Sequence, residues 1–146
     1  MEIRMIRDED IPACGAIYAS AFAVPPYREA WDAGQAAEML AELLNRSPES
    51  CWCVEEDGEL VGFAFCTIFG RFRATVQEFA VAPRFQRKGL GRALMKHVLE
   101  DLERRSVRTV DLVVNRDAPA FALYRKFGFR QPDRYVLMAK WLHPLP

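Results

Sequence analysis

The stretch EFAVAPRFQRKGLGRALM, residues 78–95, constrains the fold more than any other part of this 146-residue chain. An apolar run ending at Pro83 is followed by a basic loop containing Gly89 and Gly91, and then by an amphipathic helical pattern. Amides in the first turn of a helix lack partners within the helix, so such an end favours anion binding. The two glycines let a phosphate approach the backbone, and the same stretch carries four cations, Arg84, Arg87, Lys88 and Arg92. The loop therefore predicts a pyrophosphate site.

The common nucleotide-binding loops do not match this stretch. The pattern GxxxxGK[ST] is absent, and GxGxxG fails because Leu94 stands where the third glycine belongs. Charge is also divided unevenly, with 6 Lys/Arg against 13 Asp/Glu in residues 1–73 and 14 against 7 in residues 74–146. The cations concentrate around the glycine loop without interleaved aromatic residues. A small polyanionic ligand is therefore expected, and nucleic acid is not.

Length and composition indicate one globular domain spanning residues 1–146. Hydrophobic residues make up 51% of the chain and charged residues 27%. No apolar stretch approaches the roughly 20 residues that cross a membrane, and the first ten residues mix charges of both signs instead of forming an export signal. We expect a cytoplasmic protein that does not associate with membranes.

The four cysteines predict neither a metal site nor a disulfide framework. Cys14, Cys51, Cys53 and Cys66 form no CxxC pair and lie among apolar residues. Cys51 and Cys53 share one strand face without a nearby histidine, which is a weak metal signal. We expect buried, reduced thiols and no bound metal.

Periodicity predicts ten elements in the order βααβββαβαβ, hence an α/β (α+β) fold. Asp57-Gly58 favours a tight hairpin turn between two β-rich runs, and Gly128 ends the last predicted helix. The predicted strands are 2–6, two runs within 51–69, 74–81, 109–114 and 135–142, and the predicted helices are 11–22, 36–44, 89–105 and 118–127.

The glycine loop also carries the pattern QxxGxG, as Gln86, Gly89 and Gly91, preceded by AVAP at a strand end. In this it resembles the GCN5-related N-acetyltransferase (GNAT) family. The opening IRMIRDEDIPACGAIYASAF and the later ALYRKFGF are similar to that family too, so the resemblance covers nearly the whole chain. It implies a mixed, mostly antiparallel sheet flanked by about four helices, with acetyl-CoA as the acyl donor.

The resemblance further implies where coenzyme A lies. The strand holding Phe79 and Val81 would splay from residues 109–114, and its free backbone groups would pair with the pantetheine arm. The loop amides would hold the pyrophosphate, from Arg87, Lys88, Gly89, Leu90, Gly91 and Arg92. Asp117 stands where the family commonly has a cofactor-contacting asparagine, so an amide donor is lost there, although Asp117 could cap the helix beginning at Ala118 or Pro119.

Acetyl transfer needs a base for the amine and an acid for the departing thiolate. By resemblance, Tyr124 lies near the sulfur as general acid, although it also falls on an apolar stripe, which leaves a purely structural role open. The backbone N–H near Val81 would polarise the thioester oxygen. Glu78 is the one carboxylate in its apolar strand and is the candidate base; the alternative is a solvated residue on the outward face or an acceptor for a neighbouring loop.

These residues predict direct transfer of an acetyl group to a primary amine. A small-molecule acceptor is preferred because no additional segment is devoted to a peptide groove. Acetylation of protein N-termini is the first alternative, and a non-catalytic acyl-CoA sensor is the second, supported by the departure at Asp117. Phe22, Tyr27 and Trp31 around Pro25-Pro26 could line the acceptor pocket or simply pack under the loop. A homodimer formed through residues 135–142 is also open.

Overall fold

A computed structural model describes residues 1–143 as five strands and four helices, joined in places by short 3-10 turns. The strands are β1 (Glu2–Met5), β2 (Cys51–Glu56), β3 (Glu59–Phe69), β4 (Arg73–Val81) and β5 (Thr109–Leu112). The helices are α1 (Ile11–Ala23), α2 (Ala33–Arg46), α3 (Leu90–Arg104) and α4 (Pro119–Lys126). None of the helices within residues 1–143 is long and apolar enough to cross a membrane.

The strands form one mixed sheet in the order β1-β2-β3-β4-β5. The first four pair antiparallel, and β5 runs parallel to β4. Asp57 and Gly58 make the turn between β2 and β3 with positive φ angles of 52° and 78°, as the hairpin prediction required. The predicted class, a mostly antiparallel sheet with four helices, is confirmed.

Helices cover both faces of the sheet and divide the core in two. Residues of α1 and α2 pack with Phe63 and Phe65 on one face, and residues of α3 and α4 pack with Ala64 and Val81 on the other. This sandwich explains the two periods in the sequence, because sheet residues alternate between faces while each helix buries one stripe. The site described below lies where the two halves of the core meet at an opening in the sheet.

All four cysteines are free and buried, as expected. Burial raises the pKa of the Cys51 and Cys66 thiols to about 12 and that of Cys53 to about 11. It also raises the pKa of Cys14 well above its usual range. Because the thiolate is the reactive form, these side chains act as small apolar core residues.

The predicted final strand, residues 135–142, is not formed, so the order of elements is βααβββαβα. The segment lacks strand pairing, and Met138 is 87% exposed. A cleft of about 1460 Å³ separates the beginning of this segment from β5, and both line it. High β propensity does not make a strand without a partner in register, and β5 offers an edge of only four residues. The dimer through this segment stays a prediction.

Candidate active site at the opening of the sheet

The sheet opens between β4 and β5. Their pairing runs from Arg73 opposite Thr109 to Val76 opposite Leu112 and stops there. Strand β4 continues to Val81 with β3 as its only strand partner. The last five residues of β4 therefore present a free edge, and a ligand with its own amides can pair with such an edge.

Two backbone amides of β4 point into this opening. The N–H of Ala82 donates to the Val61 carbonyl of β3 at 2.8 Å, so it faces away from the opening. Successive residues of a strand direct their backbone groups to opposite sides. The N–H groups of Phe79 and Val81 consequently face the gap, and the predicted splaying of the two strands is confirmed.

A β-bulge in β4 determines the direction of Glu78. Phe65 of β3 pairs with Glu78, but the next residue, Cys66, pairs with Val76, so Gln77 is the additional residue. Glu78 shares the face of its partner Phe65, which packs under α1 and α2, whereas Val76 packs with α3 on the other face. Without the bulge these two β4 residues would share a face. The alternative of an outward, solvated Glu78 is therefore wrong.

The loop after β4 has the backbone geometry of an anion site. The Gln86 side-chain amide donates to the Val81 carbonyl at 2.9 Å and ties the loop to the strand end. Arg87 and Gly89 have positive φ angles of 64° and 81° and flank Lys88. Helix α3 then begins without a side-chain cap. Left-handed residues on either side of a right-handed one turn successive N–H groups into a concavity that attracts anions, and the uncapped amides of a helix start attract them too.

Cations surround this loop, though one is already paired. Arg84 forms an ion pair with Glu59 and lies 5.0 Å over the Phe85 ring. Lys88 lies over the same ring at 5.2 Å. Arg92 lines a cavity of about 240 Å³ between α3 and α4. Among residues 1–143, the exposed side chains of Arg87, Lys88 and Arg92 form no ion pair and can meet an anion.

Gly91 closes the cleft between β4 and α4. A Cβ at this position would lie 3.6 Å from the rings and methyls of Phe79 and Val81 and 3.8 Å from Leu123. These are ordinary contact distances, so the fold itself tolerates a methyl group. Internal packing therefore does not explain the glycine at position 91, whereas a bare backbone there would let a ligand approach closely.

Tyr124 lies at the inner end of the same cleft and is 7% exposed. Its ring packs edge-on against Phe79 and Phe129, with centroids 5.9 and 5.8 Å away. Its hydroxyl makes no hydrogen bond within residues 1–143. Burial, with smaller effects of Tyr27 and Glu78, raises the pKa of Tyr124 well above its usual range. The phenol therefore stays protonated at neutral pH and has a free proton to donate.

Glu78 is half-buried on the other side of the opening. Burial, together with the charge of Glu29, raises the pKa of Glu78 to about 7, while a contact from the Tyr18 hydroxyl opposes this rise. No cation among residues 1–143 lies within ion-pair distance of the Glu78 carboxylate. A carboxyl group with a pKa near neutrality is suited to accept a proton.

The four rings of Tyr18, Phe22, Tyr27 and Trp31 form one continuous surface beside Glu78, here called the aromatic wall. Tyr18 contacts Phe22 and Trp31 with centroids 4.5 and 5.2 Å away, and Phe22 contacts Tyr27 at 4.7 Å. The sequence indicated the last three rings but missed Tyr18. Its helical spacing with Phe22 at i and i+4 was the available signal.

The predicted cap at Asp117 is wrong. Helix α4 begins at Pro119 with Ala118 in the cap position, and no side chain caps it. Instead, Asn115 organises the turn, because its Oδ1 accepts from the Asp117 N–H at 2.9 Å and its carbonyl accepts from the Ala118 N–H at 3.0 Å. Asp117 lies one residue too early to cap. The signal for Asn115 was its turn propensity, since asparagine readily bonds the amide two residues later.

Groups of three or more histidine, cysteine or acidic side chains suited to a metal ion do not occur among residues 1–143. His97 packs instead against Trp52, with ring centroids 4.3 Å apart. The site is thus assembled from a free strand edge, an anion loop, a buried phenol and a half-buried carboxyl group.

Comparisons with known proteins place this geometry in context. A model described as Acetyltransferase (GNAT) family matches residues 17–129. The chain is 32% identical over 130 residues to the [Ribosomal protein bS18]-alanine N-acetyltransferase of Escherichia coli K12, covering 88% of this chain and 80% of that protein. It is 35% identical over 100 residues to the streptothricin acetyltransferase of Streptomyces lavendulae, covering 67% and 53%.

Solved structures agree with the observed fold. The crystal structure of the ribosomal-protein-S18-alanine N-acetyltransferase from Escherichia coli superimposes with a TM-score of 0.74 at 31% identity. The match covers 90% of this chain and 78% of that one. The overall fold therefore corresponds to that of a solved N-acetyltransferase.

Proposed function

The chain belongs to the GNAT acetyltransferase family, and from that membership we propose that Glu78 and Tyr124 carry acetyl transfer from acetyl-CoA to a small primary amine. The observation that carries this proposal is the opening in the sheet, with the half-buried Glu78 carboxyl group on one side and the buried Tyr124 phenol on the other. Such a pair can accept one proton and donate another within one site.

The donor side of the opening fits acetyl-CoA. The N–H groups of Phe79 and Val81 would pair with the pantetheine arm, and the loop amides from Arg87 to Arg92 would hold the pyrophosphate. Arg87, Lys88 and Arg92 would add charged contacts. Gln86 acts by fixing the loop on the strand, because its amide is already bonded to Val81. Asp117 contributes no amide donor, and its neighbour Asn115 shapes this end of the cleft.

The chain's own residues then move the protons. Acetyl-CoA supplies an activated thioester, whose C–S bond breaks as the N–C bond to the amine forms. Glu78 takes the proton of the amine, directly or through water. The Val81 N–H donates to the carbonyl oxygen as its negative charge grows. Tyr124 gives its proton to the departing sulfur, and no covalent bond to the enzyme is required.

The acceptor is the finer part of the proposal. A small amine fits the half-buried position of Glu78 beside the aromatic wall, and one relative is named a streptothricin acetyltransferase. The second candidate is a protein N-terminus, which the match to the bS18-alanine enzyme over 88% of this chain favours. Since the relatives are named N-acetyltransferases, they support an enzyme over the non-catalytic sensor.

Release of free thiol from acetyl-CoA, followed over a panel of acceptors, tests the function. The panel contains alkylamines, diamines, amino acids and short peptides with an N-terminal alanine. Amine-dependent release is expected, with the highest kcat/KM among the small amines. If a peptide gave a higher kcat/KM than every small amine, the proposed acceptor would be a protein N-terminus. Binding of acetyl-CoA without turnover of any acceptor would contradict the enzymatic function.

Two glycine substitutions separate cofactor contact from fold. Gly91→Ala places a methyl in the cleft at ordinary contact distances, so we expect acetyl-CoA affinity to fall about tenfold with little change in thermal stability. Gly89→Ala is the matched comparison, because nothing lies near its Cβ but its φ is positive. It should lower the free energy of unfolding by about 1 kcal/mol. Calorimetric titration measures the affinity for acetyl-CoA, and thermal unfolding measures the stability of each variant. Equal affinities for wild type and Gly91→Ala would contradict the proposed position of acetyl-CoA.

A further inference from the structure

Glu29 is a second carboxylate held in a fixed position beside the acceptor side of the site. It lies in the loop between α1 and α2, where its backbone N–H donates to the Phe22 carbonyl at 2.8 Å. Its Oε1 accepts from the Trp31 indole N–H at 3.0 Å. Loop and side chain are thus both tethered, and Oε2 has no hydrogen bond within residues 1–143. A fixed carboxylate with one free oxygen loses little entropy on binding a partner.

Glu29 and Glu78 are close enough for their charges to interact. The Glu29 charge contributes to the raised pKa of Glu78 and also to that of Tyr18, whose hydroxyl contacts Glu78 and whose ring packs against Trp31 with centroids 5.2 Å apart. No lysine, arginine or histidine of residues 1–143 forms an ion pair with either carboxylate. Other acidic side chains of this region do have cations, as Asp10 and Glu55 do through Arg4. No side chain of residues 1–143 offsets the repulsion between the two glutamates, so a cationic ligand could offset it on binding.

The aromatic wall gives this pair of carboxylates the character of a cation receptor. Tyr18 contacts Trp31, whose indole also holds Glu29, so the second carboxylate and the wall are one connected unit. Aromatic faces attract ammonium groups and bury the methylenes between them. The acidic excess of residues 1–73, which include α1, α2 and this loop, favours approach of the same kind of ligand.

We propose that Glu29 determines specificity by binding a second positive charge of the acceptor while Glu78 receives the proton of the reacting amine. The preferred acceptors are then small diamines or polyamines, with one ammonium group held against Glu29 and the alkyl chain along the aromatic wall. This rests on the proposed function and narrows its acceptor. Glu29 touches the substrate away from the reacting atoms, so its effect falls on acceptor binding.

Putrescine and butylamine, which share a four-carbon chain and differ in the second amino group, test the proposal. Wild type should show kcat/KM about tenfold higher for putrescine than for butylamine, and Glu29→Gln should reduce this ratio to near the statistical value of about 2. The loss should fall on KM for putrescine with kcat little changed. Glutamine retains an oxygen for the Trp31 hydrogen bond, so the loop should stay folded.

Glu38→Gln is the matched control, because it removes the same charge from an exposed position of α2. It should leave the ratio at the wild-type value. A wild-type enzyme that acetylates both amines equally well, or a Glu29→Gln variant that keeps the wild-type ratio, would overturn the inference while the proposed function stands. Turnover of neither amine, with acetyl-CoA binding intact, would remove the small-amine acceptor itself and the inference with it.

Discussion

Replacing Tyr124 by phenylalanine is expected to lower kcat about 100-fold or more, because loss of a general acid typically costs two to four orders of magnitude. The departing thiolate would then have to leave without a proton from the enzyme. The ring contacts with Phe79 and Phe129 do not involve the hydroxyl, and the hydroxyl makes no hydrogen bond within residues 1–143. Stability and acetyl-CoA affinity should therefore stay near their wild-type values.

Steady-state kinetics with saturating acetyl-CoA, accompanied by thermal unfolding, measure this effect. Tyr135→Phe provides the comparison, since Tyr135 is 77% exposed and the substitution removes the same hydroxyl from an exposed residue of the cleft that Tyr124 also lines. Its kcat should equal that of wild type. If Tyr124→Phe also kept full activity, the tyrosine would be a structural residue of the α4 stripe and the acid would have to be sought elsewhere.

Replacing Glu78 by glutamine is expected to lower kcat/KM for the amine about 100-fold or more, because the variant has no base at the opening. In wild type, kcat/KM should rise with pH and show an inflection near pH 7, where the Glu78 carboxyl loses its proton. The groups that face it are Tyr18 from α1, Glu29 from the loop and Tyr124 from α4. Burial raises the pKa of Tyr18 and of Tyr124 well above neutrality, so neither replaces Glu78 as a base and the inflection should vanish in Glu78→Gln.

The same substitution should affect stability in the opposite direction. A carboxyl whose pKa is raised in the folded state stabilises the protein below its unfolded pKa, and this stabilisation is lost as the pH rises through about 7. At pH 8 the variant lacks the partly desolvated charge of Glu78 and should be more stable than wild type by up to about 3 kcal/mol. At pH 4 the difference should be small.

Urea unfolding at the two pH values checks this prediction. Glu103→Gln, an exposed charge near the end of α3, should show neither the kinetic loss nor the pH-dependent gain in stability. A Glu78→Gln enzyme with a normal pH profile would show that a different group accepts the proton. A variant that is inactive but no more stable at pH 8 would show that the ionised Glu78 carboxylate is well hydrated and does not destabilise the fold.

The fold was largely predictable because its elements bury regular patterns. Leu90, Leu94 and Val98 mark one stripe of α3, and the stripe packs on the sheet as expected. The failure at residues 135–142 has the same origin, since periodicity and propensity describe a segment and not its partner. Whether a further strand can join the sheet depends on β5, which has only four residues and is paired on one side.

Sequence alone determined the glycine loop, the buried cysteines and the tyrosine of α4, because each depends on neighbours within a few positions along the chain. The tertiary structure decided which way Glu78 points, since one additional residue at Gln77 reverses the face of everything beyond it. It also brought Glu29 close enough to Glu78 for their charges to interact, although the two residues are 49 positions apart in the sequence. Periodicity encodes the face that an element buries, whereas a bulge and the meeting of a distant loop with a strand arise only when the elements pack together.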